Sequence, residues 1–510
     1  MPRFWLVLAA TSSVLGMASL DTLAVTTAIP DIQRDFGLSP AEAAWVVAAY
    51  VLGLVSVIVP GGRFADTYGR KRLTLVGVNV FLAMSVLCGL APSAAVLVAA
   101  RFAQGVGAGL MLPPGRAIIV DAFPKERIGT AFGIGASVSG IAIVAGPTVG
   151  GLLTDLLSWR AIFFINVPLG IVALLLVVVY VSESRDPLPR RVDAPGMIAM
   201  FILTASIATM LLQLSRWGAR SVAVGALLVV AVLGLVGLVA VERKRTDGLV
   251  RLDLFRRTEF AYAVGARFAL SIAGLSTAFF MLLYMQDVLG YTALQAGAGI
   301  LPLVGTAIVM ATVSGVLVDR FGERPVVFGG LSLVLAGLVV LLFVTRDVGY
   351  LYLFVGFLII GVGKELVGTA SNVLGMTAID KTDAGQASSM LTFARRVGGL
   401  IGLAATTAVF HAAATRRVAE TADRLNLDLS PADERRIADV LGTGTAENLA
   451  EDLTELPAAT VRFVADDAFT HAFSRAILLP LGAIAITIIV GLLLPRARSV
   501  SNTREADPAR

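Results

Sequence analysis

Long apolar runs broken by short charged turns dominate the 510-residue chain. Residues 161–181, 221–241, 326–345 and 476–495 contain no Asp, Glu, Lys or Arg. Each is close to the roughly 20 residues an α-helix needs to cross ~30 Å of hydrocarbon. Counting all such runs predicts about fourteen spans. They lie near 4–30, 41–61, 73–91, 95–114, 129–153, 161–182, 194–213, 221–242, 259–287, 293–318, 326–344, 350–375, 385–411 and 471–495. A membrane β-barrel would instead alternate over segments of roughly ten residues, and this chain does not. The pattern predicts an all-α membrane protein.

Composition narrows the function. The chain is 57% hydrophobic and 15% charged, against roughly a quarter charged in soluble domains. That excludes a soluble enzyme with one anchor. Cys88 is the sole cysteine, so no intramolecular disulfide forms, and His411 and His471 lack metal-ligand spacing. No His/Asp/Ser cluster points to an enzyme. The net charge of +5 comes from arginines in interhelical turns, which read as topology signals rather than a nucleic-acid surface. The first run continues to Pro30 with an aspartate inside it, unlike a cleaved signal peptide.

Charge asymmetry sets the expected orientation. Alternate loops carry Arg63/Arg70/Lys71/Arg72, Lys125/Arg127, Arg185/Arg190/Arg191, the 243–257 cluster and Arg320/Arg324, while the loops between them are nearly uncharged. Both termini are expected on the cytoplasmic side of the cell membrane. A hydrophilic insert, 412–470, falls outside, with twelve acids against six arginines. It reads as a solvated cap or as a docking element. A polar tail, 496–510, follows.

Three motifs carry candidate chemistry. The turn at 61–72 holds Gly62, Asp66, Gly69, Arg70 and Lys71, and its Gly-x-x-x-Asp-x-x-Gly core recurs as Gly315, Asp319, Arg320 and Gly322. A repeated turn implies two related halves. Glycines allow close helix approach, and a lone acid in a basic turn suggests an ionic latch beyond a topology anchor. The second copy lacks the Arg-Lys-Arg run and is expected to grip less. In the fifth span, Gly140, Gly146, Pro147, Gly150 and Gly151 offer a smooth face for a neighbouring helix or a bend that shapes a cavity.

Charges inside spans are functional candidates by default. Asp21, Arg101, Lys364, Glu365, Arg395 and Arg396 all qualify, while Arg267 and Asp287 stand nearer span ends and are expected to snorkel. Asp21 or Glu365 is expected either to load a proton or to form a static ion pair. Lys364 and Glu365 diverge by about 100° on a helix, so separate partners are expected. Gln104, Lys364, Phe280 and Tyr284 are expected to line a substrate cavity.

These residues together resemble the fourteen-helix drug:proton antiporters of the major facilitator superfamily, from end to end. The 62–72 turn is similar to the signature loop between helices two and three. Leu20-Asp21-Thr22 is similar to the first-helix motif, and Arg101, Gln104, Gly105 and Gly109 to the fourth-helix arginine motif. Gly140 to Gly151 is similar to the fifth-helix antiporter motif, and Trp159 to Gly170, with Asn166 inside it, to the sixth-helix entrance. The resemblance implies two six-helix bundles, 1–185 and 259–495, with two linker helices at 194–242 between them. It implies alternating access to a central cavity and a proton gradient, not a cofactor, as energy source. The expected partners are protons, membrane lipids and a small hydrophobic or cationic drug, antibiotic or metabolite, handled by a monomer. Export of a lipid or endogenous metabolite, or proton-coupled uptake, remain the alternatives.

Overall fold

The computed structural model describes residues 3–38, 40–185, 194–217, 221–243, 252–380, 383–425, 427, 430, 437, 441 and 457–494. Among these residues the chain is helical throughout, with no strand. The first half holds α1 (Arg3–Thr27), α2 (Ile29–Phe36), α3 (Pro40–Tyr68), α4 (Arg70–Gly89), α5 (Ala94–Ala122), α6 (Ile128–Leu156), α7 (Ala161–Phe164) and α8 (Asn166–Tyr180). Then come α9 (Ala194–Trp217) and α10 (Val222–Arg243). The second half holds α11 (Thr258–Asp287), α12 (Ala293–Gly299), α13 (Leu301–Val304), α14 (Ala307–Phe321), α15 (Glu323–Leu342), α16 (Tyr350–Thr377), α17 (Ala384–Arg424), α18 (Ala458–Ala476) and α19 (Leu478–Leu493).

Local chemistry sets the breaks. Gly69 (φ 111°) separates α3 from α4, and Gly322 (φ 84°) separates α14 from α15. Both are the last glycine of the repeated turn, at a φ that a side chain rarely tolerates. Ser93 accepts from Val96 N at the start of α5, and Thr292 with Gln295 forms a capping box at α12.

Among the described residues thirteen helices are long and apolar enough to cross a membrane. The fourteenth expected span corresponds to α9, whose described apolar stretch is the shorter Pro195–Ile207. In the first half α5 packs between α3 and α4, and α1 lies against α6 and α8. In the second, α11 packs on α17 and α16, and α15 on α16. The halves meet where α14 runs along α6 and where α17 crosses α3 and α5. The α9/α10 pair sits against α3 through α9, and α10 turns Val222, Leu233 and Val236 outward.

Two expectations change. The insert is shorter than 412–470, because α17 runs on to Arg424 and helix resumes at Ala458. Arg417 pairs with Asp467 at 2.8 Å and Thr421 donates to the same carboxylate, holding α17 and α18 together beyond the apolar part. Phe280 and Tyr284 do not line a cavity here. They are 1% and 0% exposed; Phe280 packs on Phe410 at 4.7 Å, and the Tyr284 hydroxyl donates to Thr345 O at 2.7 Å. Most of the expected loop at 428–456, and the tail at 496–510, lie outside the described residues.

Candidate functional site

Helices α1, α5 and α8 bring together a closed polar network. Asp21, Arg101, Gln104 and Asn166 are all 0% exposed. Arg101 Nη1 meets Asp21 Oδ2 at 2.7 Å, while Gln104 Nε2 and Asn166 Nδ2 donate to Asp21 Oδ1 at 3.1 and 2.8 Å. Arg101 also donates to Gln104 Oε1 at 2.7 Å and to Val46 O at 3.1 Å, and lies 4.5 Å over the Tyr50 ring. A buried charge is tolerable only when paired and hydrogen-bonded, and Asp21 is both. Gln104 therefore belongs to this network rather than to a substrate cavity. Asn166 was not assigned a role from sequence, although it is the one amide side chain in the charge-free run 161–181.

A second site joins the two halves at the end of the molecule that carries residues 61–72, the turn end. Asp66, 4% exposed at the end of α3, accepts from Gly385 N at 3.1 Å and Gln386 N at 3.0 Å. These are the second and third residues of α17. Asp319, at the end of α14, accepts from Gly129 N and Thr130 N, each at 2.8 Å, and from Thr130 Oγ1 at 2.5 Å. These are the second and third residues of α6. Neither α6 nor α17 has a side-chain cap of its own. Each half thus caps a helix of the other in trans, placing a carboxylate on orphan N–H groups at the positive end of a helix dipole.

Glycines make this approach possible. A Cβ on Gly62 would meet Gly385 O and Ser389 Oγ, and one on Gly315 would meet Gly129 O and, at 3.0 Å, Thr130 Cα. Gly315→Ala is therefore expected to push α6 from α14 and lengthen the distance between spin labels on those helices at the turn end. An unchanged distance distribution would contradict the close-contact role.

The basic residues divide. Arg70 supports the latch, holding Asp66 Oδ1 at 3.0 Å and pairing with Asp121. Lys71 and Arg320 do not reach it. Lys71 Nζ donates to Val178 O, and the Arg320 guanidinium lies over Phe321. Glu183 caps α4 by accepting from Lys71 N and Arg72 N at 3.0 and 3.1 Å, and its carboxylate fills the space beside Gly69. The second latch was expected to be weaker. It has more cross-half hydrogen bonds than the first, but its carboxylate is exposed where Asp66 is buried.

In α6 the helix continues through Pro147. Gly146 and Gly150 face α1, where a Cβ would meet Leu23 Cβ at 3.0 Å and Ala24 O at 2.6 Å respectively. Gly140 faces Ala307 of α14, and Gly151 meets open space. Lys364 and Glu365 do not seek separate partners, for their long side chains bend together to 3.0 Å. Arg267 does not snorkel; it is 5% exposed and donates to Gly368 O at 2.8 Å.

At the opposite end a polar cleft of about 450 Å³ is lined by Asp31, Arg34, Asp35, Thr154, Ser158, Trp159 and Arg160. The hydrogen bond from Arg160, with that from Trp159, holds the Asp35 carboxyl below its usual range. A lowered carboxyl pKa contributes stability above the ordinary range and loses it as pH falls through the lowered value, so this tether persists at neutral and mildly acid pH.

Comparison with known proteins gives one family. The Major Facilitator Superfamily pattern matches residues 11–403. The chain is 36% identical over 417 residues to the multidrug resistance protein Stp of Mycobacterium tuberculosis, covering 80% of this chain and 76% of that one. It is 31% identical over 447 residues to a probable actinorhodin transporter of Streptomyces coelicolor, covering 83% and 76%. The fold is also that of the proton:xylose symporter XylE, with a TM-score of 0.59 at 14% identity over 88% of this chain and 95% of that one. The human organic anion transporter MFSD10 gives a TM-score of 0.57 at 16% identity, covering 95% and 100%. With its apolar helices, its paired halves and these relatives, the chain belongs to the major facilitator superfamily as a multi-pass membrane protein.

Proposed function

We propose that the protein is an antiporter, not an enzyme, that exports hydrophobic amphiphilic compounds (drugs, antibiotics or secreted metabolites) in exchange for protons. It works as a monomer in the lipid of the cell membrane, with both termini cytoplasmic and the turn end facing the cytoplasm. The proton gradient replaces any cofactor. The observation that carries this reading is the pair of trans caps at one end. Two carboxylates, one from each half, close that end by bonds that break when the halves part, as alternating access requires. Asp21, inaccessible in this conformation, exchanges a proton only in another one, which links proton access to the rearrangement. A substrate shifts that equilibrium only through unequal affinity for the two states. The relatives named as resistance or export proteins favour outward transport.

The test uses inside-out membrane vesicles holding the full chain. Acidifying the interior is expected to drive uptake of a hydrophobic dye, and nigericin, which collapses the pH difference, is expected to stop it. Uptake indifferent to nigericin would overturn the proton coupling. Accumulation only in right-side-out vesicles would favour import.

A further inference from the structure

A second group of charges lies between the halves and differs in kind from the Asp21 network. It consists of Arg116 on α5, Arg267 on α11, Lys364 and Glu365 on α16, and Arg395 and Arg396 on α17. Counted from the helix ends at the turn end, these positions lie about 9 to 20 Å in, at a rise of 1.5 Å per residue. Arg116 reaches across to Thr392 of α17. Arg267 and Arg395 each feel the charges of Arg116 and Glu365, and Arg395 also those of Arg396 and Arg267. Glu365 is the one carboxylate among these six groups, and Lys364 already holds it at 3.0 Å.

A structural ion network would look otherwise. Arg101 shows how this protein pairs a buried arginine: one carboxylate, one amide and one carbonyl receive it, and only its Nη2 is left without a partner. In the second group the Nε atoms of Arg267, Arg395 and Arg396 are buried with no hydrogen-bond partner. Among the described residues none of the four arginines has an acid within ion-pair distance. Like charges gathered in a low-dielectric space repel and ask for an anion. Beside Arg116, within the first half, is a void of about 20 Å³, room for one water, whose walls include Ser12, Leu15, Leu112 and Ile119, and Ser12 Oγ there is also without a partner.

We infer that the arginine group between the halves binds an organic anion, a carboxylate, sulfonate or phosphate joined to an apolar body, with Arg395, Arg396, Arg267 and Arg116 receiving its head. The expectation of a cationic substrate does not fit this charge balance. Arg396 also lies within electrostatic reach of Tyr50, the residue on which Arg101 stacks, so an anion here is felt near the Asp21 network. The inference rests on the export reading for its direction, but its binding does not depend on it.

The experiment measures binding first, without a gradient. The full chain in neutral detergent is titrated with dansylglycine, a carboxylate, and with dansylcadaverine, an ammonium of similar apolar body. The carboxylate is expected to bind about tenfold or more tightly, and Arg395→Gln and Arg396→Gln are each expected to weaken it by a similar factor. Elution volume and thermal midpoint check that the variants fold. If they do not, the wild-type comparison still decides. Equal or tighter binding of dansylcadaverine overturns the inference, as does displacement of dansylglycine by inorganic phosphate at equal concentration, which would mark a site for bare anions. Competition by phosphatidylglycerol nanodiscs, with none by phosphatidylcholine, supports an anionic lipid as the natural source; no competition by either supports a soluble acid. Vesicle transport then separates the readings. Binding without export leaves the site standing and removes the export reading, whereas nigericin-sensitive export of a neutral dye without dansylglycine binding removes the anion site alone.

Discussion

Asp21→Asn is expected to abolish proton-driven export while leaving the protein inserted in the membrane. Asparagine keeps the shape and can still accept from Gln104 or Asn166, but it removes the charge that faces Arg101 at 2.7 Å. A buried pair that loses one member costs about 3–5 kcal/mol, because the remaining charge is left without compensation. Here the Val46 carbonyl and the Tyr50 ring still hold the guanidinium, which places the cost at the lower end, about 3 kcal/mol. The variant should therefore melt earlier yet remain monodisperse. Arg101→Ala removes the same pair from the other side along with its stacking, and is expected to cost more. The decisive measurement is dye transport in inside-out vesicles with and without nigericin. Ordinary nigericin-sensitive transport by Asp21→Asn would remove Asp21 from proton coupling and leave it an architectural residue.

Asp66→Asn is expected to shift the resting conformation toward one open at the turn end. The carboxylate accepts two backbone N–H groups at the start of α17 and is held by Arg70. Asparagine keeps one acceptor oxygen but gives up the second and the charge at a buried helix N-terminus, which costs up to about 2 kcal/mol, roughly a thirtyfold change in a two-state equilibrium. Asp319→Asn should shift it the same way but less, because water screens an exposed carboxylate more than a buried one. Distances between spin labels placed across α3 and α17 at the turn end report the change. Equal shifts from both variants would mean that burial does not set the latch strength, and no shift from either would mean that packing alone closes this end.

The repeated turn was legible in sequence because spacing is preserved by chain geometry. Gly62, Asp66 and Gly69 sit at fixed offsets around one turn, and their second copy at Gly315, Asp319 and Gly322 reports the twofold plan. What the carboxylates bind was not legible, since their partners are backbone N–H groups hundreds of residues away, and backbone groups leave no trace in composition. Lys364 and Glu365 were misread because helix geometry fixes Cα directions, while four rotatable bonds let the lysine swing to its neighbour. Phe280 and Tyr284 show a different blindness: periodicity separates one helix face from another but not a packed core from a cavity wall. The ends of α17 and α18 were taken for a loop because their charges ended the apolar runs. A helix needs hydrocarbon only where it is in the membrane, and beyond it charged pairs such as Arg417–Asp467 serve as well.

That last feature gives the molecule a lever. The 41 residues of α17 form one continuous helix, about 60 Å long at 1.5 Å per residue and roughly twice the hydrocarbon thickness. Its first turn is the one that Asp66 grips, and its last turn stands outside the opposite surface, bound to α18. A tilt of about 10° about the gripped end carries the other end through about 10 Å at that length. Release of one carboxylate at the turn end would thus be amplified into a displacement at the opposite end, where a single fluorophore near Arg424 is expected to follow the transport cycle.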